Sequence, residues 1–492
     1  MFAIPILSFL IFIPLLAVLV ILTIKENDAY FGQNIKYVTI LTNIIHLILI
    51  GYLWFEFDKI NSLYQFVEKI PLIPGLNFNY YLGIDGISLI FITLSSVVML
   101  IVLLFIDFPK EKVKLYAICF LLLLGASVGT FASLDMILFY MFYEISMFPV
   151  FFIIGIFGEG NKIYASLKFF LYTLAGSILM IVAMIVMISL AKTSSLPELT
   201  EFSFTPEFQK YLFIAMFIAF AVKSALFPFH TWLPDTYESA PMSMNIVLSG
   251  ILMKYGIYGF LRFLVPMFPL ATLKSINIIY VLSLITLFYC GLIALKQTNI
   301  KRLFAYFSIS HVALIIAGIF SVTAQGIEGA IFQSIGHSIF NAGIFLGIVL
   351  LQKRFRSDLV ADFKGLANVM PRFCVMFFIF MLAAMSFPIT STFIGEILIL
   401  LGIFQNNRLY AVMFTFSILL NSVIVISFMK TVIFSKVSLY TKSFKEVNLI
   451  EFTSLSLVAI LVLAIGIYPD IFLDMIHTSV SNILERFRIV SI

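Results

Sequence analysis

The sequence predicts an all-α polytopic membrane protein with about fourteen transmembrane helices. Three observations carry that prediction. Of the 492 residues, 62% are hydrophobic and only 11% are charged, whereas soluble domains carry about 25% charged residues. The apolar runs are continuous rather than alternating, and many reach the ~20 residues a helix needs to cross a bilayer, which favours helices over a β-barrel. Basic residues gather in alternate connections.

Taken in order, the first apolar stretch runs from about Ile4 to Ile24. It lacks a basic leader, exceeds the apolar core of a signal peptide and has no cleavage site after it, so it reads as the first helix. Further helices centre near Ile45, Ser95, Leu123, Met147, Leu179, Phe217, Leu252, Ile285, Ile315, Phe340, Phe387, Ser422 and Val462, besides Leu15 in the first. The longest polar connections run from about Phe55 to Gly83, Lys192 to Lys210 and Lys353 to Arg372, too short for a soluble domain. The whole chain, 1–492, is therefore one transmembrane domain.

Connections after odd-numbered helices hold Lys110, Lys112 and Lys114, then Lys162, then Lys296, Lys301 and Arg302. Later ones hold Lys353, Arg354, Arg356 and Lys364, and finally Lys436, Lys442 and Lys445. Connections after even-numbered helices are poorer in Lys and Arg and carry Glu198, Glu201 and Glu207. The positive-inside rule then places both termini on the outer side, periplasmic or intermembrane, in agreement with an even helix count. The formal charge of +5 follows this topology and implies no nucleic acid.

Helices seven and twelve look broken. Lys223-Ser-Ala-Leu-Phe-Pro228-Phe-His230-Thr-Trp-Leu-Pro234 places two prolines after a lysine, and Ser386-Phe-Pro388-Ile-Thr-Ser-Thr-Phe-Ile-Gly395-Glu396 places Pro and Gly before a glutamate. Proline frees a backbone carbonyl. At membrane depth, such groups persist only where protein or a water-filled cavity satisfies them. Paired broken helices five apart suggest two inverted five-helix repeats, about 115–265 and about 276–434. Helices one to three would precede them, in about 1–106, and the last helix would follow at about 452–470.

Ionisable residues inside apolar segments are the candidates for chemistry, because each costs roughly 2.5–3.5 kcal/mol at a helix centre. Glu144 lies among aromatic residues, with Lys223 its natural partner for ion pairing or proton exchange. Lys254 follows Ser249 and Gly250 and precedes Gly256, small residues that permit close helix approach. His311 and His337 can relay a proton between such groups, and Glu396 ends the series. Lys168 and Asp135 are secondary candidates. Asp235 and Glu238 are expected at a helix mouth facing water, and His46 and His477 as hydrogen-bonded core histidines. Cys119, Cys290 and Cys374 form no CxxC pair, which speaks against an iron–sulfur or zinc site. The two relay histidines have no carboxylate or thiol at ligand spacing, so neither haem nor metal is expected there.

These residues and their flanks resemble the antiporter-like, proton-pumping membrane subunits of respiratory complex I, the NADH:quinone oxidoreductase. The likeness is strongest to the branch called subunit M, or chain 4 in mitochondria. It rests on Tyr81-Leu-Gly-Ile-Asp-Gly-Ile-Ser88, Phe169-Phe-Leu-Tyr-Thr-Leu-Ala-Gly-Ser177 and Phe227-Pro-Phe-His-Thr-Trp-Leu-Pro-Asp235. Lys254-Tyr-Gly-Ile-Tyr-Gly-Phe-Leu-Arg-Phe263 and Phe393-Ile-Gly-Glu396 complete it. The resemblance implies Glu144 and Lys223 as a coupled pair, Lys254, His311 and His337 as a central relay, and Glu396 as the exit-side group. Sister subunits of the complex usually carry Lys at the last position, so the acid favours subunit M.

Departures from the family pattern cluster nearby. Tyr237 replaces a usual His, Ser224-Ala-Leu226 a Val-Pro-Met type sequence, and Phe387-Pro-Ile389 a Leu-Pro-Gly. Met242-Ser-Met-Asn245 stands in place of a small-residue stretch.

The resemblance thus implies a translocase subunit that couples quinone reduction elsewhere in the complex to proton pumping. It would hold no redox site or cofactor of its own, in keeping with the missing GxGxxG context. Its partners would be neighbouring antiporter-like subunits and the lipid of a bacterial inner membrane, or of the mitochondrial inner membrane if organelle-encoded. The alternatives are a subunit of a multisubunit Na+/H+ antiporter and a divergent non-pumping scaffold paralogue. A solute transporter is more distant, because little in the site suggests a substrate-binding surface.

Overall fold

The structure is a computed structural model that describes residues 5–26, 30–73 and 78–490. The helices follow the hydropathy pattern closely. They are α1 (Ile6–Thr23), α2 (Phe31–Glu56), α3 (Gly86–Phe105), α4 (Val113–Ala132), α5 (Met136–Phe157) and α6 (Lys162–Ala191). Helix α7 comes in two pieces, Pro206–Lys223 and Trp232–Ser239. There follow α8 (Met242–Met267), α9 (Pro269–Lys296), α10 (Ile300–Ile319) and α11 (Ala324–Arg354). Helix α12 is again in two pieces, Pro371–Ala384 and Phe393–Asn406, before α13 (Arg408–Val432) and α14 (Leu449–Ile467). The predicted start of α1 at Ile4 lies outside the described residues.

Among the described residues, 12 continuous helices are long and apolar enough to cross a membrane. The two others of the expected fourteen are the broken ones, α7 and α12, so the count differs only where the sequence predicted interruption.

Polar residues mark the helix starts. The side chains of Asp85, Asp135, Asn299, Thr323 and Asn407 each accept hydrogen bonds from backbone N–H groups in the first turn of the helix they precede, and Asn448 and Glu451 form a capping box. Each such cap satisfies donors that would otherwise be orphaned, at a gain of about 1 kcal/mol.

Two elements were not legible from hydropathy. The connection between α2 and α3 folds into an antiparallel hairpin, β1 (Gln65–Ile73) and β2 (Phe78–Ile84), with Glu68 opposite Leu82. Glu68 reaches back to accept from the Leu7 and Ser8 amides at the start of α1. After α14 comes an amphipathic helix, α15 (Asp470–Val490). It carries His477 on its exposed side, which corrects the expectation of a core histidine there. His46 does fit that expectation: its ring bridges the Leu10 carbonyl at 3.0 Å and the Ser96 hydroxyl at 2.8 Å.

The chain forms two compact units. One comprises Met1–Lys223, Ile251–Ser275 and Asp474–Ile492; the other comprises Ser224–Gly250 and Ile276–Leu473. The division at Lys223 falls in the α7 break.

Candidate functional site

In the first unit, Lys223 is the last residue of the first α7 piece and is 1% exposed. Its ammonium lies 4.6 Å from the centroid of the Tyr143 ring, 5.8 Å from that of Tyr255 and 5.9 Å from that of Phe169. Among the described residues it has no hydrogen-bond partner. Glu144 follows Tyr143 on α5 and interacts electrostatically with Lys223. One of its carboxylate oxygens has no hydrogen-bond partner either, so the two groups form a loose pair rather than a closed ion pair. A proton can leave such a pair without breaking a strong contact. Aromatic faces hold the cation while contributing only about 0.5–2 kcal/mol.

Lys254 lies on α8, which is buried along its whole spanning window. It sits between two π-helical turns, Leu248–Leu252 and Phe260–Leu264. Such turns widen a helix and recur at functional sites. Tyr255, its neighbour, hydrogen-bonds the Ser127 hydroxyl at 2.8 Å.

In the second unit, His311 on α10 and His337 on α11 are fully buried, with ring centroids 5.8 Å apart. His311 packs edge-on against Phe307 and Phe340. The Asn341 amide lies 3.0 Å from His337 Nε2 and donates to the Ser308 hydroxyl at 3.1 Å. Glu396 stands in the first turn of the second α12 piece, where the helix N-terminus favours negative charge. It is 1% exposed, and Ser417 donates to one carboxylate oxygen at 3.4 Å. Its other oxygen, the Asn421 carbonyl oxygen, the Ser391 hydroxyl and both amide atoms of Gln333 lack partners among the described residues. Buried polar atoms so arranged are the usual setting for ordered water.

The sequence-predicted breaks are real, and protein groups satisfy them. After Lys223 the backbone turns through Ala225 at φ +56°, and the Phe227 amide donates to Thr286 Oγ1 at 3.1 Å. In α12 the turn uses Ser386 at φ +53° and Ile389 at φ +77°, while the Thr392 hydroxyl caps the Ala383 carbonyl. Left-handed backbone at non-glycine residues is costly, about 1–3 kcal/mol each, and clusters at functional sites.

Gly395 is the tight point of this region. A methyl group there would lie 2.7 Å from the Gln333 amide nitrogen and 2.9 Å from its Cα, both backbone atoms. Gly395→Ala is therefore expected to destabilise the protein by about 1–3 kcal/mol, measured as an earlier thermal transition of the detergent-solubilised protein.

Other candidates settle into structural roles. Asp135 caps α5 and accepts from the Ser194 hydroxyl at 2.5 Å. Lys168 lies part-buried near the Tyr164 and Tyr172 rings. Asp235 and Glu238, expected at a helix mouth facing water, are part-exposed and share Arg302 at 2.9 and 2.7 Å.

Sequence reasoning passed over two groups of the same kind as those it chose. Arg262 lies on α8 and Asp85 at the α3 cap, and they form a buried ion pair. Their charges within or beside apolar runs were a legible signal. Gln333 carried none, because a neutral amide barely perturbs hydropathy.

The model of the family described as NADH:quinone oxidoreductase/Mrp antiporter, TM, matches residues 133–421. That stretch contains Glu144, Lys223, Lys254, His311, His337 and Glu396. The chain belongs to this family. Within it, the chain is 39% identical to NADH-quinone oxidoreductase subunit M of Rickettsia prowazekii, over 99% of this chain and 100% of that one. It is 38% identical to NADH-ubiquinone oxidoreductase chain 4 of Marchantia polymorpha, covering 98% of this chain and 97% of the relative.

Solved structures agree on the fold of the family. A chain of respiratory complex I from Thermus thermophilus matches with a TM-score of 0.88 at 23% identity, over 98% of this chain and 99% of that one. A chain of the Mrp complex from Dietzia sp. matches with a TM-score of 0.85 at 17% identity, over 99% and 98%. The expected antiporter-like helical fold is thus borne out.

Proposed function

We propose that this chain is a proton-translocating membrane subunit of an NADH:quinone oxidoreductase. One observation carries the reading. A chain similar along its full length to subunit M relatives also buries two lysines, two adjacent histidines and a final acid, with the part-exposed Glu144 beside the first lysine. A chain kept only as a scaffold has no use for six ionisable groups at membrane depth, each of which costs energy.

In this reading, quinone reduction elsewhere in the complex changes the charge near Glu144 and Lys223. Charges inside a low-dielectric interior shift the proton affinity of their neighbours by Coulomb coupling. In this reading that coupling moves a proton on or off Lys254. The relay then continues through His311 and His337 to Glu396, and release follows beyond it. The chain itself holds no NADH, quinone or redox cofactor and works beside other antiporter-like subunits. Both termini face the periplasm of a bacterial inner membrane, or the intermembrane space if the gene is organellar. The two broken helices mark two inverted five-helix repeats.

An Mrp-type sodium/proton antiporter is the second reading, favoured by the Dietzia likeness in fold. Purification in mild detergent from its native membrane distinguishes the two. The expected outcome is co-purification with NADH:quinone oxidoreductase activity; recovery with a sodium/proton exchange that needs no NADH would overturn the assignment.

A further inference from the structure

A polar cavity of about 210 Å3 lies in the first unit, lined among others by Tyr64, Asp85, Glu201, Arg262, Asn482 and Arg486. Its outer end carries Glu201, 75% exposed, near Arg486 at 3.8 Å. Its inner end is the Asp85–Arg262 ion pair, with Arg262 only 6% exposed. Arg262 also donates to the Tyr64 hydroxyl at 3.2 Å and to the Tyr258 hydroxyl at 3.2 Å. Tyr258 in turn lies 3.0 Å from the Ser88 hydroxyl and donates to the Phe131 carbonyl at 2.8 Å. Tyr258 is one helical turn from Lys254 within the regular α segment Met253–Gly259, so both occupy one face of α8.

The placement has a direction. The lining residues come from the connection after α2, the connection after α6, the last turns of α8, and α15. By the charge asymmetry of the connections, these all lie on the outer side. A charged, roomy cavity of this kind holds water. A buried ion pair is commonly no more stabilising than an apolar substitute, so the cap that Asp85 provides to α3 does not by itself account for an arginine at the cavity floor. Burial pushes the Asp85 carboxyl up, but the adjacent Arg262 guanidinium outweighs it and holds the group below the usual carboxylate range. The floor of the cavity is therefore a salt bridge at neutral pH.

We propose that this cavity is an outward aqueous branch of the proton path in the first unit, and that the Asp85–Arg262 pair is its gate. The inference rests on the proton-translocation reading above. In this proposal Tyr258 turns its O–H from the Phe131 carbonyl to Ser88, and Ser88 donates to water beside Arg262 and Asp85. A proton leaving the Lys254 ammonium is taken up by Tyr258 as Tyr258 passes its own to Ser88 and Ser88 passes its own to that water. Lys254 is left neutral, the hydroxyls regain their protons and Arg262 stays cationic. The Asp85 carboxylate stabilises the hydronium at the point of delivery.

Two measurements on the assembled complex test this. Asp85→Asn leaves Arg262 uncompensated and repels the arriving cation. It is expected to lower the number of protons translocated per NADH oxidised by the share that leaves through this branch, while release beyond Glu396 continues, with Asp85→Glu restoring it. Ser479→Cys, on the cavity wall, is expected to react with a membrane-impermeant thiol reagent applied from the outer side and thereby to slow pumping; the native Cys119, Cys290 and Cys374 are buried and give little background. Full pumping in Asp85→Asn alongside its loss in Lys223→Ala would overturn the gate and leave the main reading standing. If Asp85→Asn fails to assemble, the labelling decides: an S479C thiol that reacts from neither side refutes the branch.

Discussion

Lys223→Ala is expected to abolish NADH-driven proton translocation by this subunit while the complex assembles at normal abundance. The lysine ends a helix at the break, and its ammonium lies over aromatic faces with no hydrogen bond to lose among the described residues. Truncation therefore removes a charge and some packing but tears no polar network. The stability cost is that of a buried side-chain truncation, about 2–5 kcal/mol, diluted by the contacts of a large assembly. The functional cost is total, because Glu144 loses the cation that couples it to the rest of the path. Glu144→Ala is expected to give the same result from the other side. The measurement is acid release per NADH oxidised, set against complex abundance on native gels; intact pumping in either variant contradicts the pair.

Glu396→Gln is the second large effect. The amide is nearly isosteric and keeps a hydrogen bond with Ser417, so packing around the second α12 piece survives. The titratable proton is lost. Translocation is expected to fall at least about tenfold, equivalent to a barrier raised by about 1.4 kcal/mol or more, with Glu396→Asp retaining a measurable rate. A non-pumping scaffold predicts no change in either variant, which makes the comparison decisive between the two readings.

The main features of the fold were written in composition. Spanning helices follow from apolar length alone, and the breaks at Pro228 and Pro388 follow from the missing amide. The six ionisable residues inside apolar segments, five of them buried and Glu144 part-exposed, stood out because the bilayer makes them expensive. What was not legible had physical reasons. The hairpin strands Gln65–Ile73 and Phe78–Ile84 and the amphipathic α15 mix apolar and polar residues outside the continuous apolar runs, where hydropathy distinguishes little. The π-turns flanking Lys254 depend on how α8 packs rather than on any residue preference. Asp135 looked ionisable and proved to be a cap, since a helix start offers the same carboxylate a structural use. Gln333 escaped notice because its importance lies in lacking a partner, which only the packed structure reveals.

The central claim is that these buried groups carry protons rather than hold the fold together. It is tested most directly by the ratio of protons translocated to NADH oxidised, in proteoliposomes containing the intact complex with Lys223→Ala or Glu396→Gln. The account predicts that both variants assemble, oxidise NADH and show a clearly reduced ratio. An unchanged ratio in both would contradict it.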